Sequence, residues 1–168
     1  RLHAWQAGSD LNQLNQAFAA SSKPVNISTE LAEIITDARA LSIQSGGLFN
    51  PAIGKLIKAW GFQRDEFTPV KIDKAAIADL VKADPQMPDI VIENNTAYSK
   101  NPAVQLDLGG YAKGYALDRA ASYLRSQGVK NALINVGGNI IALGQHGDKP
   151  WRVGIQHRDE SRRSGAAD

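Results

Sequence analysis

The 168-residue chain contains no cysteine, which excludes disulfide bridges, thiolate metal ligands and cysteine nucleophiles. It contains no apolar run close to the roughly 20 residues that a membrane-spanning helix needs. Neither sign of charge dominates, because 19 basic side chains are balanced by 17 acidic ones. The net charge of +2 therefore gives no reason to expect nucleic acid as a partner.

The composition is that of an ordinary globular protein, with 43% hydrophobic and 21% charged residues. A chain of this length buries roughly 70% of its unfolded surface, so a core needs no covalent staples. The sequence begins at Arg1-Leu2-His3, without a start methionine or a signal peptide. We therefore expect a mature or trimmed piece, and we predict one region over residues 1–168.

The apolar pattern predicts both helices and hairpins. Helices are predicted after the candidate N-caps Ser9, Ser28 and Asp73, from Pro51 to Trp60, and from about Ala112 to Gln127. The helix after Ser28 is predicted to bury a stripe of Leu31, Ile34, Ile35, Ala38 and Leu41, and the last helix a face of Ala112, Ala116, Ala120, Tyr123 and Leu124. Predicted strands cover residues 90–92, 96–98, 104–108, 132–136, 139–143 and 151–156. Asn94-Asn95 and Gly137-Gly138 indicate tight hairpin turns. Hairpins together with segregated helices favour an α+β fold over a doubly wound parallel sheet.

The most informative stretch runs from Leu106 to Asp118. Its pattern predicts a buried strand, a turn at Gly109-Gly110 and a helix with Lys113 in its first turn. A helix start carries unpaired amides and the positive end of the helix dipole, and both favour a negatively charged ligand. Glycine leaves no Cβ between backbone and ligand. Asp107, the glycines and Lys113 are therefore a candidate site for a phosphorylated ligand.

Common phosphate-binding motifs do not account for this stretch. The G-x-G-x-x-G fingerprint is missing, and the lysine precedes Gly114 where a Walker A lysine would follow the glycine. The alternative is an ordinary strand–turn–helix corner in which Asp107 accepts hydrogen bonds from local amides. The second glycine pair, Gly137-Gly138, indicates either a plain hairpin turn or a second wall of the same cleft.

The histidines and tryptophans give weaker indications. His3, His146 and His157 are scattered without metal-ligand spacing, so we expect surface histidines. Trp60 lies in an apolar run and is expected to pack in the core. Trp5 lies in polar surroundings and is the better candidate for stacking on an aromatic ligand. Neither G-x-S-x-G nor H-E-x-x-H is present.

Three stretches taken together resemble the FAD:protein FMN transferase family, also called the ApbE family. In residues 5–15, a serine and an acidic residue precede a helix ending in asparagine. Residues 45–62 contain a glycine-rich loop that leads to Trp-Gly-Phe. Residues 106–118 are followed by the Asn-Val-Gly-Gly-Asn of 135–139. Their order and spacing match as well, so the resemblance covers nearly the whole chain.

The resemblance implies a mixed α+β fold, with an antiparallel sheet, helices and FAD in a central cleft. The positions that contact FAD in the family are matched by Trp5, Leu48, Phe49, Asn50, Asp107 and Lys113. Gly110 matches the position whose backbone carbonyl helps to hold Mg²⁺. The implied location is the periplasm, often as an inner-membrane lipoprotein.

The implied chemistry is attack by a threonine hydroxyl of an acceptor protein on the FMN phosphorus of FAD. AMP leaves, and FMN stays on the acceptor through a phosphoester. By resemblance, the acceptor is a flavoprotein subunit of a membrane redox complex. Mg²⁺ prefers near-octahedral oxygen ligands, carbonyls included, and together with Lys113 it would stabilise the charge that develops on the phosphate.

The sequence also departs from the family pattern. The family's further metal ligands, an Asp and a Thr, come from a segment well after the second glycine pair, as does a histidine near the flavin phosphate. The family's early methionine is missing, since the one methionine here is Met87. The sequence as far as Asp168 does not include that segment, so we expect residues 1–168 to be an incomplete N-terminal and central part of the family's fold, with a natural remnant as the alternative. We therefore predict that this chain alone binds metal poorly and transfers little or no FMN. The alternatives are an FAD pyrophosphatase, a non-catalytic FAD-binding protein and a plain structural domain.

Overall fold

The structure is a computed structural model that describes residues 8–63 and 71–155. The helices are α1 (Asp10–Ala20), α2 (Thr29–Gln44), α3 (Gly54–Ala59), α4 (Lys74–Ala83) and α5 (Gly109–Ser126), with a 3₁₀ turn at Met87–Asp89. The strands are β1 (Val25–Asn26), β2 (Ile90–Glu93), β3 (Thr96–Ser99), β4 (Ala132–Val136) and β5 (Asn139–Leu143). All strand pairs are antiparallel, so the α+β prediction is confirmed.

The chain divides into two compact units, and the boundary falls within α5, between Ala112 and Lys113. The first unit holds a three-stranded sheet in the order β1-β3-β2, and the second holds the β4–β5 hairpin. None of the helices in the described residues is both long and apolar enough to cross a membrane.

The helix starts follow the sequence prediction. Ser9 Oγ accepts a hydrogen bond from the Asn12 amide at 3.1 Å, and Ser28 Oγ accepts one from the Leu31 amide at 3.2 Å. Asp73 caps α4 in the same way. The buried faces of α1 and α2 supply about half of the first core, including Leu11, Leu14, Phe18, Leu31, Ile34, Ile35 and Ala38. Leu41 was predicted to join this core, but it is exposed.

Both predicted hairpins are present. β2 and β3 pair from Ile90–Ser99 to Glu93–Thr96, and Asn94 and Asn95 both have positive φ. β4 and β5 pair through all five residues, and the turn residues Gly137 and Gly138 have φ of +55° and +90°. Two central residues with positive φ are the signature of a type I′ turn, whose twist matches that of the flanking strands.

Three predicted elements differ from the structure. Residues 104–108 are not a strand, because only Gln105 forms a bridge, to Ile53. Because Ile53 forms that bridge, α3 begins only at Gly54, three residues after the predicted start. Residues 151–155 carry no regular structure, since Trp151 donates instead from its indole N–H to the Leu143 carbonyl at 2.8 Å.

Helix α5 begins earlier than predicted and buries a different face. It starts at Gly109, and its buried side chains are Leu117 and Ala121. Tyr123, which was predicted to be on the buried face, is exposed. The predicted face consisted mostly of alanines, whose small side chains define the apolar side of a helix weakly.

Gly144, just after β5, is a place where no side chain fits. Its φ is +57°, and a Cβ there would overlap Asn131 Oδ1 and the Lys130 carbonyl oxygen. We expect Gly144→Ala to destabilise the second unit by roughly 2 kcal/mol. Gly147→Ala is the matched control, because its φ is +62° but nothing lies within 4 Å. The control should cost about 1 kcal/mol. Hydrogen exchange of the β4–β5 amides measures both effects, and equal losses would contradict the clash.

Candidate functional site

The candidate site begins with the segment that leads to Asp107. The Gln105 amide donates to the Ala52 carbonyl at 3.1 Å, and the Gly54 amide donates to the Gln105 carbonyl at 2.7 Å. The Asp107 amide donates to the Pro51 carbonyl at 2.8 Å. These bonds attach the segment to the loop before α3. The backbone of the segment is therefore paired although no regular ladder forms.

Asn15 holds the same segment from its other side. The side chain is only 4% exposed on α1. Its Nδ2 donates to the Leu106 carbonyl at 2.8 Å, and its Oδ1 accepts from the Leu106 amide at 2.7 Å. One amide side chain thus satisfies both backbone groups of Leu106, as a strand partner would. Sequence reasoning missed this role. The available signal was a polar residue on the apolar face of α1, where burial requires a partner.

Both oxygens of the Asp107 carboxylate have hydrogen-bond donors. Oδ1 accepts from the Gly109 amide at 2.9 Å, and Oδ2 accepts from Gln63 Nε2 at 2.8 Å. The first of these bonds is the local contact expected for an ordinary strand–turn–helix corner. A carboxylate at this position also complements the dipole of α5. Two further lone-pair sites remain on an ionised carboxylate with two acceptor bonds.

The first turn of α5 is less open than the sequence indicated. We expected unpaired amides at this helix start. Instead, the Gly109 amide donates to Asp107, and the amides of Tyr111 and Ala112 donate to the Leu108 carbonyl at 2.9 and 2.8 Å. Three amides of the first turn therefore have acceptors within the protein. Fewer bare amides are therefore available at this helix start than the sequence indicated.

The loop of residues 48–50 supplies three of the predicted FAD contacts. Leu48 is 94% exposed. The Phe49 ring lies near Gly110, with Cε2 3.7 Å from the position that a Cβ would take. Asn50 Nδ2 donates to the Pro85 carbonyl at 2.9 Å, and Asn50 Oδ1 accepts from the Ala52 amide at 3.0 Å. The Asn50 side chain therefore shapes the loop, while Leu48 and Phe49 offer apolar surface.

Lys113 lies in the second unit, beside the second glycine pair. Its Nζ is 3.7 Å from the position that a Cβ on Gly137 would take. The Gly137-Gly138 turn is fixed by Asn135 Oδ1, which accepts from the Gly138 amide at 2.9 Å. The structure thus brings Lys113 together with Gly137, as a phosphate-facing amine would require. A single cleft lined by both glycine pairs stays a prediction.

Four further residues were the subject of predictions, namely Trp5, Trp60, Gly110 and His146. Trp5 lies outside the described residues. Trp60 was expected in the core but is 49% exposed. His146 is exposed and stacks on Trp151, with ring centroids 4.9 Å apart. Gly110 lies in the first turn of α5, and its carbonyl as a magnesium ligand stays a prediction.

The part of the chain that the structure describes offers few candidate side-chain ligands for magnesium. Residues 8–63 and 71–155 contain no group of three His, Cys, Asp or Glu side chains suited to a metal. The nearby carboxylate, Asp107, already accepts bonds from Gly109 and Gln63. A near-octahedral Mg²⁺ site needs several oxygen ligands. A magnesium site that includes the Gly110 carbonyl therefore stays a prediction.

Comparison with known proteins decides the family. The family model described as "ApbE family" matches residues 1–167. The chain belongs to the ApbE family. Among curated ApbE relatives, the FAD:protein FMN transferase of Rhodobacter capsulatus is 44% identical over 154 residues, which are 92% of this chain and 29% of that protein. The FAD:protein FMN transferase of Klebsiella pneumoniae is 36% identical over 90% of this chain and 45% of its own length.

Solved ApbE structures share the fold. The flavin transferase ApbE from Vibrio cholerae matches with a TM-score of 0.78 and 31% identity, over 90% of this chain and 48% of that one. The ApbE protein from Thermotoga maritima matches with a TM-score of 0.82 and 26% identity, over 93% and 50%. The chain therefore spans between about a third and a half of the length of the relatives described here.

Proposed function

We propose that this chain forms the FAD-binding part of a FAD:protein FMN transferase. Relatives of that name cover most of the chain. The observation that carries the proposal is the Asp107 carboxylate, which is fixed at both oxygens at the start of α5. A fixed carboxylate is suited to accept hydrogen bonds from hydroxyl or amino groups, which FAD offers on its ribityl chain, ribose and adenine.

Other residues would meet different parts of the same molecule. Leu48 and Phe49 offer apolar and aromatic surface to a ring system. The exposed Lys113 amine, above the side-chain-free Gly137, suits a phosphate oxygen.

The proposed reaction transfers FMN to an acceptor protein. The hydroxyl oxygen of an acceptor threonine forms a bond to the FMN phosphorus of FAD. The bond from that phosphorus to the bridging oxygen breaks, AMP leaves with that oxygen, and the hydroxyl proton passes to solvent. Orientation by the chain's own contacts would favour in-line attack. Magnesium dependence is part of this proposal for the whole enzyme; the described residues contain no group of three His, Cys, Asp or Glu side chains suited to a metal.

The acceptor and the location are part of the same proposal. The acceptor would be a flavoprotein subunit of a membrane redox complex, and the enzyme would act in the periplasm as a lipoprotein. Fractionation of cells that produce the full-length protein, with immunodetection in each fraction, tests this location. Recovery in the cytoplasm alone would contradict it.

The reaction is tested by incubating the full-length protein with FAD, Mg²⁺ and a threonine-bearing acceptor. We expect AMP release together with FMN attached to the acceptor, measured by chromatography and mass spectrometry. An acceptor with alanine in place of the threonine should remain unmodified. Free FMN without attachment would indicate a pyrophosphatase. Tight FAD binding without AMP release would indicate a non-catalytic FAD-binding protein.

Replacing Lys113 should weaken FAD binding. We expect Lys113→Ala to raise the Kd for FAD about three- to tenfold, because a charge-assisted contact with phosphate is lost at an exposed position. Lys130→Ala is the matched control, since it removes the same charge from an exposed site in the same unit. Its Kd should stay unchanged. Equal increases in the Kd for both variants would show that FAD binding depends on the net charge of the protein and not on Lys113 in particular.

A further inference from the structure

The Trp60-Gly61-Phe62 sequence ends α3 and reverses the direction of the chain. The Phe62 amide donates to the Ile57 carbonyl at 3.1 Å, and the Gly61 amide donates to the Lys58 carbonyl at 2.9 Å. Gly61 has φ of +82°. These bonds form a Schellman motif, in which a glycine in the left-handed region ends a helix and reverses the chain. The residue that follows this reversal is Gln63.

Gln63 connects the end of α3 to its beginning and to Asp107. Its Nε2 lies 2.8 Å from Asp107 Oδ2 and 3.4 Å from the Gly54 carbonyl oxygen. Since an amide nitrogen carries two hydrogens, it can donate to both acceptors. The contact spans 44 positions of sequence. Nothing in the local sequence pattern around Asp107 indicates it.

We propose that Gln63 is a positioning residue that presents the Asp107 carboxylate to FAD, an inference that rests on the proposed function. The Gly109 amide holds only Oδ1. The terminal torsion of an aspartate is broad, so one bond leaves the carboxylate plane free to turn. A second donor on Oδ2 removes that freedom before the ligand arrives. A carboxylate that is already ordered in the free protein loses no conformational freedom when FAD binds. The free energy of binding is therefore not reduced by the cost of ordering it.

The Gln63 side chain is suited to this role by its neutrality. Its amide donates without a positive charge, so the carboxylate is oriented but not neutralised. A positively charged donor at the same place would form an ion pair with the carboxylate. The carboxylate of Asp107 keeps acceptor capacity for the hydroxyl or amino groups of FAD.

The test is a double-mutant cycle measured by FAD titration of the full-length protein. Gln63→Met keeps the length of the side chain but removes both donors, and we expect a Kd about five- to tenfold higher. In an Asp107→Ala background, the same substitution should change the Kd less than twofold, because its target is gone. Gln63→Glu places a second carboxylate beside Asp107 and should weaken binding more than Gln63→Met.

Gln16→Met is the control. Gln16 is an exposed residue of α1 whose Nε2 donates to Asn12 Oδ1 at 2.9 Å, so the same amide is removed away from Asp107. Its Kd should not change. An equal increase in the Kd for FAD from Gln63→Met in the native and in the Asp107→Ala backgrounds would overturn the positioning role. An unchanged Kd for Gln63→Met in the native background would overturn it as well. Absence of FAD binding by the native protein itself would overturn the proposed function as well, so the two failures are distinguishable.

Discussion

Replacing Asn15 by leucine should destabilise the first unit by about 3–5 kcal/mol. The substitution keeps the number and branching of the side-chain heavy atoms but removes the partners of the Leu106 amide and carbonyl, which are bound at 2.7 and 2.8 Å. Each buried backbone group left without a partner costs about 1–3 kcal/mol. Leu106 itself is fully buried, so water would not readily replace the lost bonds.

Urea denaturation of the full-length protein measures the loss, and hydrogen exchange at the Leu106 amide places it. Gln16→Leu, on the exposed face of the same helix, is the control, and it should change the free energy of unfolding by no more than about 0.5 kcal/mol. A loss below about 1 kcal/mol for Asn15→Leu would mean that the segment finds other partners. Because Leu106 precedes Asp107, we also expect FAD binding to weaken.

The local part of the fold was predictable from the sequence. Ser9 and Ser28 cap helices as expected. Asn94-Asn95 and Gly137-Gly138 form hairpin turns with positive φ. These features depend on residues at most a few positions apart, where φ preferences and side-chain–backbone bonds act directly.

The supports of the candidate site were not predictable in the same way. Asn15 and Leu106 are 91 positions apart, and Gln63 and Asp107 are 44 apart. Residues 104–108 alternate buried and less buried side chains, which is the pattern of a strand. The backbone partners are instead a loop and one asparagine side chain. Periodicity reports which side chains are buried but not what pairs with the backbone.

The site residues themselves came from the resemblance and from the chemistry of their side chains. Asp107 accepts a hydrogen bond from Gly109 in the first unit, and Lys113 lies beside Gly137 in the second; their roles toward a ligand stay predictions. The expectation of open amides at the start of α5 was wrong for Gly109 and Tyr111, because the protein supplies acceptors for both. An aspartate two residues upstream can accept a hydrogen bond from an amide of the helix start, and that amide is then not open to a ligand.

Gly54→Ala is the substitution for which packing and helix propensity predict opposite signs. Gly54 is the first residue of α3, and alanine is favoured over glycine in a helix by about 1 kcal/mol. A Cβ at this position, however, would lie 2.6 Å from the carbonyl oxygen of Gln105 and 3.1 Å from its Cγ. The same carbonyl accepts the Gly54 amide at 2.7 Å, so the two backbones are already in close contact.

We expect the clash to dominate, with Gly54→Ala destabilising the first unit by about 2–4 kcal/mol and weakening FAD binding, because residues 105–107 must move. Gly114→Ala is the matched control, since Gly114 is also helical and has nothing within 4 Å of its Cβ position. That substitution should stabilise the protein by about 0.5–1 kcal/mol. Urea denaturation of the two variants therefore gives shifts of opposite sign. A stabilising Gly54→Ala would show that the loop before α3 can retreat from Gln105 and that Asp107 is held less firmly than its hydrogen bonds indicate.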